Sequence, residues 1–440
     1  MIYNKFISLI LFILVLAGNS LAQEVLPKTT AVEILLEHNY DIKIAKNNVE
    51  LASNNARIMN SGYLPSVEAG AGSIITSGTS SVEYQDGRTQ ETSNAQTYSF
   101  SSSLGLNYTL FDGLGRKYNY SKQKENYTIS ELQMRQAVEL SILDLFRIYY
   151  DVARLTTNEI NQRETMDISR RRLDRAKYGY EYGQSTQLDV LNAEVDYNTD
   201  SITYLNIILE LQNVKRDINV LLGRDVNTLF VVDTSVVYEK VIILEDLMND
   251  AMKNNVTLLL NQSFVQTSEY DININRSAKI PRLDLNASYR WSDRINDQTS
   301  LVTSQINYGP QAGLNLSWNI FDGGTTKTRT QNAKITRDNE LINLEQYTKV
   351  LERNVNNAWS FYQNALFVLE AERKNLETNH YNFDRSVEQY QLGQITSIVF
   401  RQAQFNLLRA NQNFNQAKYD AKIAELALLQ LSGSLMYATF

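Results

Sequence analysis

Two periodicities divide the chain between them. From Tyr98 to Leu110 the side chains alternate: Tyr98, Phe100, Leu104, Leu106, Tyr108 and Leu110 point one way, and Ser99, Ser101, Ser103, Asn107 and Thr109 the other. Val67, Ala69, Ala71, Ser73 and Ile75 alternate with more polar or glycine neighbours. Further on, Leu283, Leu285, Ala287, Tyr289 and Trp291 oppose Arg282, Asp284, Asn286, Ser288 and Arg290. A fourth run sets Ala312, Leu314, Leu316, Trp318 and Ile320 against Gln311, Asn315, Ser317 and Asn319. A period of two over about ten residues is the pattern of a transmembrane barrel strand. A half-buried strand of a soluble sandwich has the same period. Aromatic residues near the strand ends, and a second face polar enough to line water, favour the barrel. Residues 77–97, rich in Ser, Thr, Gln and Gly, predict an exposed loop.

The other periodicity is helical. No proline falls between Arg116 and Lys177. Met134, Val138, Ser141, Leu145, Ile148, Val152, Leu155, Glu159, Gln162, Met166, Ser169, Leu173, Ala176 and Tyr180 follow alternating steps of four and three, a coiled-coil seam. At about 1.5 Å per residue this predicts a rod of roughly 90 Å. Residues 327–390 predict a matching rod. Four shorter helices are predicted over 29–62, 186–221, 246–278 and 396–431.

The patterns come twice. Phe111-Asp112-Gly113 recurs as Phe321-Asp322-Gly323, 210 residues later, and Tyr180-x-x-Gly183 recurs as Tyr390-x-x-Gly393 at the same offset. Leu222-Gly223 matches Ser432-Gly433. Upstream, His38-Asn39 aligns with Asn254-Asn255 and Leu64-Pro65 with Ile280-Pro281 at an offset of 216, so the first copy carries six extra residues where a hairpin loop would absorb them. The predicted organisation follows. Residues 23–230 form a first repeat: helix 29–62, strand hairpin 65–111, long helix 116–180, tip turn 181–185, helix 186–221. Residues 223–245, with β-branched runs, form an equatorial segment. Residues 246–434 form a second repeat: helix 246–278, hairpin 281–321, long helix 327–390, tip turn 391–395, helix 396–431. A tail spans 435–440. The fold class is mixed α+β, mainly α, and internally duplicated.

Residues 1–22 read as a secretory signal peptide: Lys5, an apolar run from Phe6 to Ala17, and Ser20-Leu21-Ala22 as the cleavage site. That run is short of the roughly 20 residues that span a bilayer, and no other apolar stretch matches it, so a membrane span must be built of strands. Four strands cannot make one alone. An open sheet leaves backbone groups unpaired in hydrocarbon, and the smallest bacterial barrels have about eight strands. Copies of the chain must pool their strands; two would give eight and three twelve.

Composition removes several chemistries. The chain has no cysteine, hence no disulfide, thiolate metal site or cysteine nucleophile, and only two histidines, His38 and His380, both in polar helical stretches. A net charge of -7 argues against nucleic acid as partner. Only four prolines occur, which suits long elements, and 26 tyrosines, many beside Ser, Asn and Gly, suit strands at a membrane interface. Gly323-Gly324-Thr325-Thr326-Lys327-Thr328 lacks the glycine before lysine that a phosphate loop needs, and its first-repeat counterpart is Gly113-Leu114-Gly115-Arg116-Lys117. Glycine suits a strand-to-helix turn at both places. The cluster Arg170, Arg171, Arg172, Arg175 and Lys177 reads as a solvated helix face, or as a patch for a docking partner.

The leader, the duplication, the two Phe-Asp-Gly strand ends, the tip Tyr180-x-x-Gly183-x5-Asp189-Val190-Leu191-x-Ala193-Glu194 and the helix end Leu221-Leu222-Gly223 together resemble the TolC-like outer membrane efflux proteins. The resemblance covers residues 24–434. It implies a homotrimer with twelve strands in one barrel in outer membrane lipid, twelve helices in a periplasmic tunnel and a mixed equatorial belt. It implies docking to a periplasmic adaptor and an inner-membrane pump of RND or ABC type, and neither enzyme activity nor cofactor. Gly183 and Gly393 correspond to the family's tip-turn glycines, with adaptor contact there. Tyr180 and Tyr390 match positions that hold neighbouring helices together in a closed tip; packing is the other reading. Asp112, Gly113, Asp322 and Gly323 are the strand-to-helix turns. Asp189 matches an acidic tip position, but Val399, followed by Phe400 and Arg401, stands where the family often carries acidic residues around the aperture. The expectation is a constriction of Val399 and Phe400 with Asp189 nearby. A coiled-coil envelope scaffold or adhesin without a pore is the alternative; four alternating strands and the duplication speak against it. An exported hydrolase is opposed by the lack of a histidine triad. Terminal Phe440 fits an outer membrane sorting signal.

Overall fold

The structure, a computed structural model, describes residues 24–238 and 242–438. The predicted leader over 1–22, the terminal Phe440 and three residues of the equatorial segment lie outside the described residues. In chain order the elements are β1 (Glu24–Leu26), α1 (Lys28–His38), α2 (Tyr40–Asn55), β2 (Ser66–Glu83), β3 (Thr89–Phe111), α3 (Gly115–Glu181), α4 (Gln187–Leu221) and β4 (Phe230–Val232). They continue with α5 (Leu244–Asn254), α6 (Val256–Ser277), β5 (Arg282–Ile295), β6 (Ser304–Ser317), α7 (Thr325–Gln391) and α8 (Ser397–Ser432). The long helices α3 and α7 have 67 residues each and start 210 positions apart, as do α4 and α8. Among the described residues no helix is long and apolar enough to cross a membrane.

Two compact units share these elements. One, residues 47–132 and 260–346, carries a four-stranded antiparallel sheet in the order β2-β3-β5-β6. Its register brings the four alternations of the sequence onto one face. Val67 lies opposite Leu106, Leu106 opposite Ala287, and Ala287 opposite Ala312. One pair away, Ala69, Leu104, Tyr289 and Pro310 follow one another across the sheet. The other face is polar and, on β2 and β3, mostly small: Gly70, Ser103, Arg290 and Gly309 make one row, and Gly72, Ser101, Ser292 and Asn307 another. Leu104, Tyr289, Tyr308 and Leu314 of the apolar face are exposed in the single chain. Among the described residues strands β2 and β6 pair on one side only, so each presents a free edge.

The first hairpin departs from the expected loop over 77–97. Strand β2 runs on to Glu83 and β3 starts at Thr89, joined by a tight turn in which Tyr84 N–H donates to the Arg88 carbonyl at 2.8 Å. Gly87 takes φ +87° there, and a register shift between Gly78 and Ser80 marks a bulge. The Ser/Thr alternation of this stretch still pairs as strand because its backbone bonds do not depend on an apolar face. The Asp86-Gly87 step is a hairpin signal of the sort that left-handed turn positions require. In the second hairpin β6 stops at Ser317 rather than running to residue 321, and the Trp318 indole N–H donates to the Lys279 carbonyl at 3.1 Å.

The other unit comprises residues 24–46, 133–259 and 347–438. Its core gathers Leu35, Leu145, Phe146, Tyr149, Val152 and Leu222, all fully or nearly fully buried. Strands β1 and β4 pair in parallel beside it, and the Tyr149 hydroxyl ties them down: it donates to Leu26 O at 2.7 Å and accepts from Asp233 N at 2.9 Å. The expected helices over 29–62 and 246–278 are broken at Asn39 and Asn255, and the first ends at Asn55, short of residue 62, with only a 3-10 turn at Ile58–Asn60 beyond it. Both asparagines leave the helical backbone, with ψ 135° and 120°. Asn39 Oδ1 accepts from Ile42 N at 3.0 Å while its Nδ2 donates to Leu221 O at 2.9 Å. Asn255 repeats both bonds, with Leu258 N at 3.0 Å and Leu431 O at 3.0 Å. Each asparagine thus caps the start of one helix and the end of another.

Candidate functional site

The tip turns join α3 to α4 and α7 to α8. Gly183 has φ +72° and Gly393 φ +74°, a backbone that residues with a Cβ adopt only at a cost. At the first, Gln184 N–H donates to Gly179 O at 2.6 Å and Gly183 N–H to Tyr180 O at 3.0 Å. At the second, Gln394 N–H donates to Gln389 O at 2.8 Å and Gly393 N–H to Tyr390 O at 3.2 Å. Both helices therefore end in the paired bonds that satisfy the last carbonyls.

Beyond the turns the two tips differ. Thr186 and Asp189 form a reciprocal cap on α4: Asp189 N–H donates to Thr186 Oγ1 at 3.2 Å, and Thr186 N–H to Asp189 Oδ2 at 2.9 Å. In α8, Thr396 Oγ1 accepts from Val399 N at 3.4 Å, and Val399 has no carboxylate to return the bond. The acid at 189 is thus a helix cap, and its replacement by Val399 removes half of a capping box. The Thr186 hydroxyl, then its backbone N–H, hold the Asp189 carboxyl below its ordinary value of 3.8. A group with a lowered folded value contributes stability above the unfolded value and loses it as pH falls through the folded one. We expect Asp189→Ala to cost about 1 kcal/mol near pH 6 and the gap to the parent protein to shrink below pH 3.8, measured by denaturant unfolding at both pH values.

Of the residues expected at the constriction, Phe400 lies inside the single chain. It is only 4% exposed and packs in a cluster with Phe383 and Ala403. Tyr390 stacks on it at 4.6 Å with 14° between planes, and the Arg175 guanidinium lies 4.6 Å from the Tyr390 ring centre. Phe400 therefore packs inside the chain, against Phe383 and the partly buried Tyr390, which a step of seven residues sets on one face of α7. Val399 is 51% exposed, and Tyr180, the counterpart of Tyr390, is exposed as well. A cleft of about 360 Å³ opens beside these rings, lined also by Glu164, Arg171 and Val387.

Sequence reading missed a buried polar network one turn away. The Arg401 guanidinium makes two bonds of 2.7 Å to the Asp200 carboxylate, from Nη1 to Oδ2 and from Nη2 to Oδ1. Ser169 Oγ donates to Asp200 Oδ2 at 2.5 Å, and Gln162 Nε2 to the Asp200 carbonyl at 3.1 Å. Gln404 Nε2 reaches Thr165 O at 2.8 Å. Ser169 and the Gln162 Nε2 group, polar positions in the α3 seam, are thereby paired in the interior, while Gln162 Oε1 is buried without a partner among the described residues. Arg172 is also buried, donating to Asp196 at 2.9 Å and to Ser397 Oγ at 3.0 Å, so it does not belong to the solvated face that Arg170 and Arg171 occupy. Arg401 beside Val399 was the one visible trace; Asp200 carried no sequence signal.

The strand-to-helix turns lie in the sheet-bearing unit. Asp112 Oδ2 accepts from Arg116 N at 2.8 Å, with Gly113 at φ +66° packed so closely that a Cβ would sit 2.8 Å from Ser277 O. Asp322 accepts from Gly324 N at 3.0 Å, Thr326 N at 2.8 Å and Thr326 Oγ1 at 2.5 Å. The N–H groups that a phosphate would need at this helix start are taken by the Asp322 carboxylate.

Residues 31–224 and 247–434 each match the family model described as outer membrane efflux protein, one match per repeat. The chain is 25% identical over 306 residues to outer membrane protein TolC of Vibrio cholerae, covering 67% of this chain and 68% of that protein. It is 22% identical over 431 residues to outer membrane efflux protein BepC of Brucella suis, covering 96% and 88%. Its fold is similar to the crystal structure of the Campylobacter jejuni CmeC outer membrane channel, with a TM-score of 0.79 over 93% of this chain and 86% of that one at 17% identity.

Proposed function

Because this chain belongs to the outer membrane efflux protein family and is a channel subunit of that kind, we propose that three copies close one twelve-stranded barrel in the outer membrane and continue it as a helical tunnel in the periplasm. The observation that carries this reading is the sheet: four strands, one continuous apolar face, and free edges on β2 and β6. In hydrocarbon those edges must be paired, and β6 of one copy on β2 of the next does so without any added element. The chain is exported by a cleaved leader and works passively. Export is driven by an inner-membrane pump of RND or ABC type, reached through a periplasmic adaptor that docks at the tip turns around Gly183 and Gly393. The tip holds the constriction, with the exposed Val399 on its rim and Asp189 fixing the start of α4.

The purified protein in detergent is expected to have the mass of three chains, to give a strong β signal besides its helix by circular dichroism, and to form channels in planar bilayers. Val399→Ala is expected to raise closed-state conductance at least about twofold, as a narrow apolar rim loses two methyl groups. A monomer, or a trimer without conductance, would overturn the channel reading and favour a scaffold without a pore.

A further inference from the structure

The cleft beside Tyr390 holds more cations than its walls can pair. It opens between α3 and α7, with Phe400 of α8 against it, and has a volume of about 360 Å³, within the range of small-molecule sites, about 300–1,000 Å³. Along α3 it is lined by Glu164, Ile168, Arg171, Arg172 and Arg175, whose steps of three and four keep them on one side of the helix. Facing them, Phe383, Val387 and Tyr390 of α7 supply an apolar wall at the same spacing. Three guanidinium groups thus share the cleft with one carboxylate, and Glu164 stands roughly 12 Å along the helix axis from Arg172.

The bonding of these arginines is incomplete. Arg172 is 5% exposed, yet only its Nη2 is bonded, to Asp196 and Ser397; Nε and Nη1 are buried without a partner among the described residues. Burying a guanidinium with bare N–H groups costs free energy that a nearby anion would offset. Arg175 rests against the Tyr390 ring, and neither it nor Arg171 makes an ion pair among the described residues. The two stand four residues apart on α3, a spacing at which like charges repel. The walls then narrow the chemistry of an occupant. Inorganic phosphate would meet the cations and leave the rings wet. A neutral aromatic compound would cover the rings and leave the cations unpaired. An anion with an apolar body does both.

We propose that this cleft binds a small aromatic anion, its acidic group meeting Arg171, Arg172 and Arg175 and its ring lying against Phe383, Val387 and Tyr390. The planar fork of arginine suits a carboxylate or sulfonate, and several forks around one acidic group add specificity. The site is built within one chain, so it does not depend on how copies associate. A ligand seated there touches α3 and α7 together and ties the two long helices to each other near the tip turns.

Calorimetric titration of the full-length protein in detergent with 2-naphthalenesulfonate, against detergent alone as the blank, tests this. One site per chain is expected, with a Kd on the order of 0.1–1 mM. Methanesulfonate, which has the charge without the rings, and 2-naphthol, which has the rings without the charge, should each bind at least about tenfold more weakly. Arg171→Gln/Arg175→Gln alters two exposed residues and should weaken 2-naphthalenesulfonate at least about tenfold. Arg170→Gln, on the same helix but outside the cleft, should leave its binding unchanged. Val387→Trp, which fills the cleft, should abolish binding in protein whose circular dichroism matches the parent. Equal binding of the three probes, or binding that survives the double substitution, overturns the site. Folded protein that takes up none of the probes overturns it as well, and leaves these arginines as contacts for an acidic segment of a partner protein.

Discussion

Gly433→Ala should unfold the protein far more readily than Gly393→Ala, although the two glycines share the same backbone angle. Both have φ +74° and both end a helix. At Gly393 an added Cβ meets nothing within 4 Å, so the substitution carries only the strain of the left-handed conformation, about 1 kcal/mol. At Gly433 the Cβ would lie 2.5 Å from Asn254 O and 2.9 Å from Asn254 Cβ. The backbone there has no room to yield: Arg135 Nη2 donates to both Asn254 O and Gly433 O at 3.0 Å, and Asn255 Nδ2 holds Leu431 O. Strain and overpacking together should cost about 2–4 kcal/mol. Gly223→Ala should behave like Gly433→Ala, because its Cβ would lie 2.5 Å from His38 O. Denaturant midpoints of the three variants check this. Equal losses at 393 and 433 would mean that the helix junction is not the tight contact described.

Arg401→Met is the other large loss. It leaves the buried Asp200 carboxylate with the Ser169 hydroxyl and no cation at bonding distance. Removing one partner of a buried ion pair costs about 3–5 kcal/mol, since the remaining charge stays desolvated. The doubly substituted Arg401→Met/Asp200→Leu should regain most of that, because exchanging both partners for apolar groups of similar volume is close to neutral. The pattern of one severe single variant and a mild double variant, read as unfolding free energies, separates a true buried pair from a surface one. A surface pair would give losses below about 1 kcal/mol in both.

The alternations were legible because a strand that meets different solvents on its two faces must write a period of two. Four such runs suffice to place Leu104, Tyr289 and Leu314 on one side of the sheet. The long helices were legible from the absence of proline and the seam from Val138 to Leu173. What could not be read has a common cause: it depends on partners distant in sequence. Asn39 and Asn255 break their helices because Leu221 and Leu431 need their amides, and only the offset of 216 hinted at a shared role. Phe400 looked free beside Val399, and its burial follows from a stack on Tyr390 that no local pattern encodes. Asp200 sits in a stretch of ordinary helical polarity, and its ion pair with Arg401 spans about half the chain. The hairpin extension was a different failure. Strand ends that are polar on both faces lose the hydrophobic mark and keep only their turn residues.

The small side chains on the non-apolar face of β2 and β3 bear on how the channel discriminates. Rows such as Gly72 with Ser101 and Gly70 with Ser103 project almost nothing from the wall. In the proposed barrel β2 and β3 are thin staves while β5 sets Arg290 in the same row as Gly70 and Ser103, so a passing molecule meets charge there, and sieving by bulk is left to the helical tip.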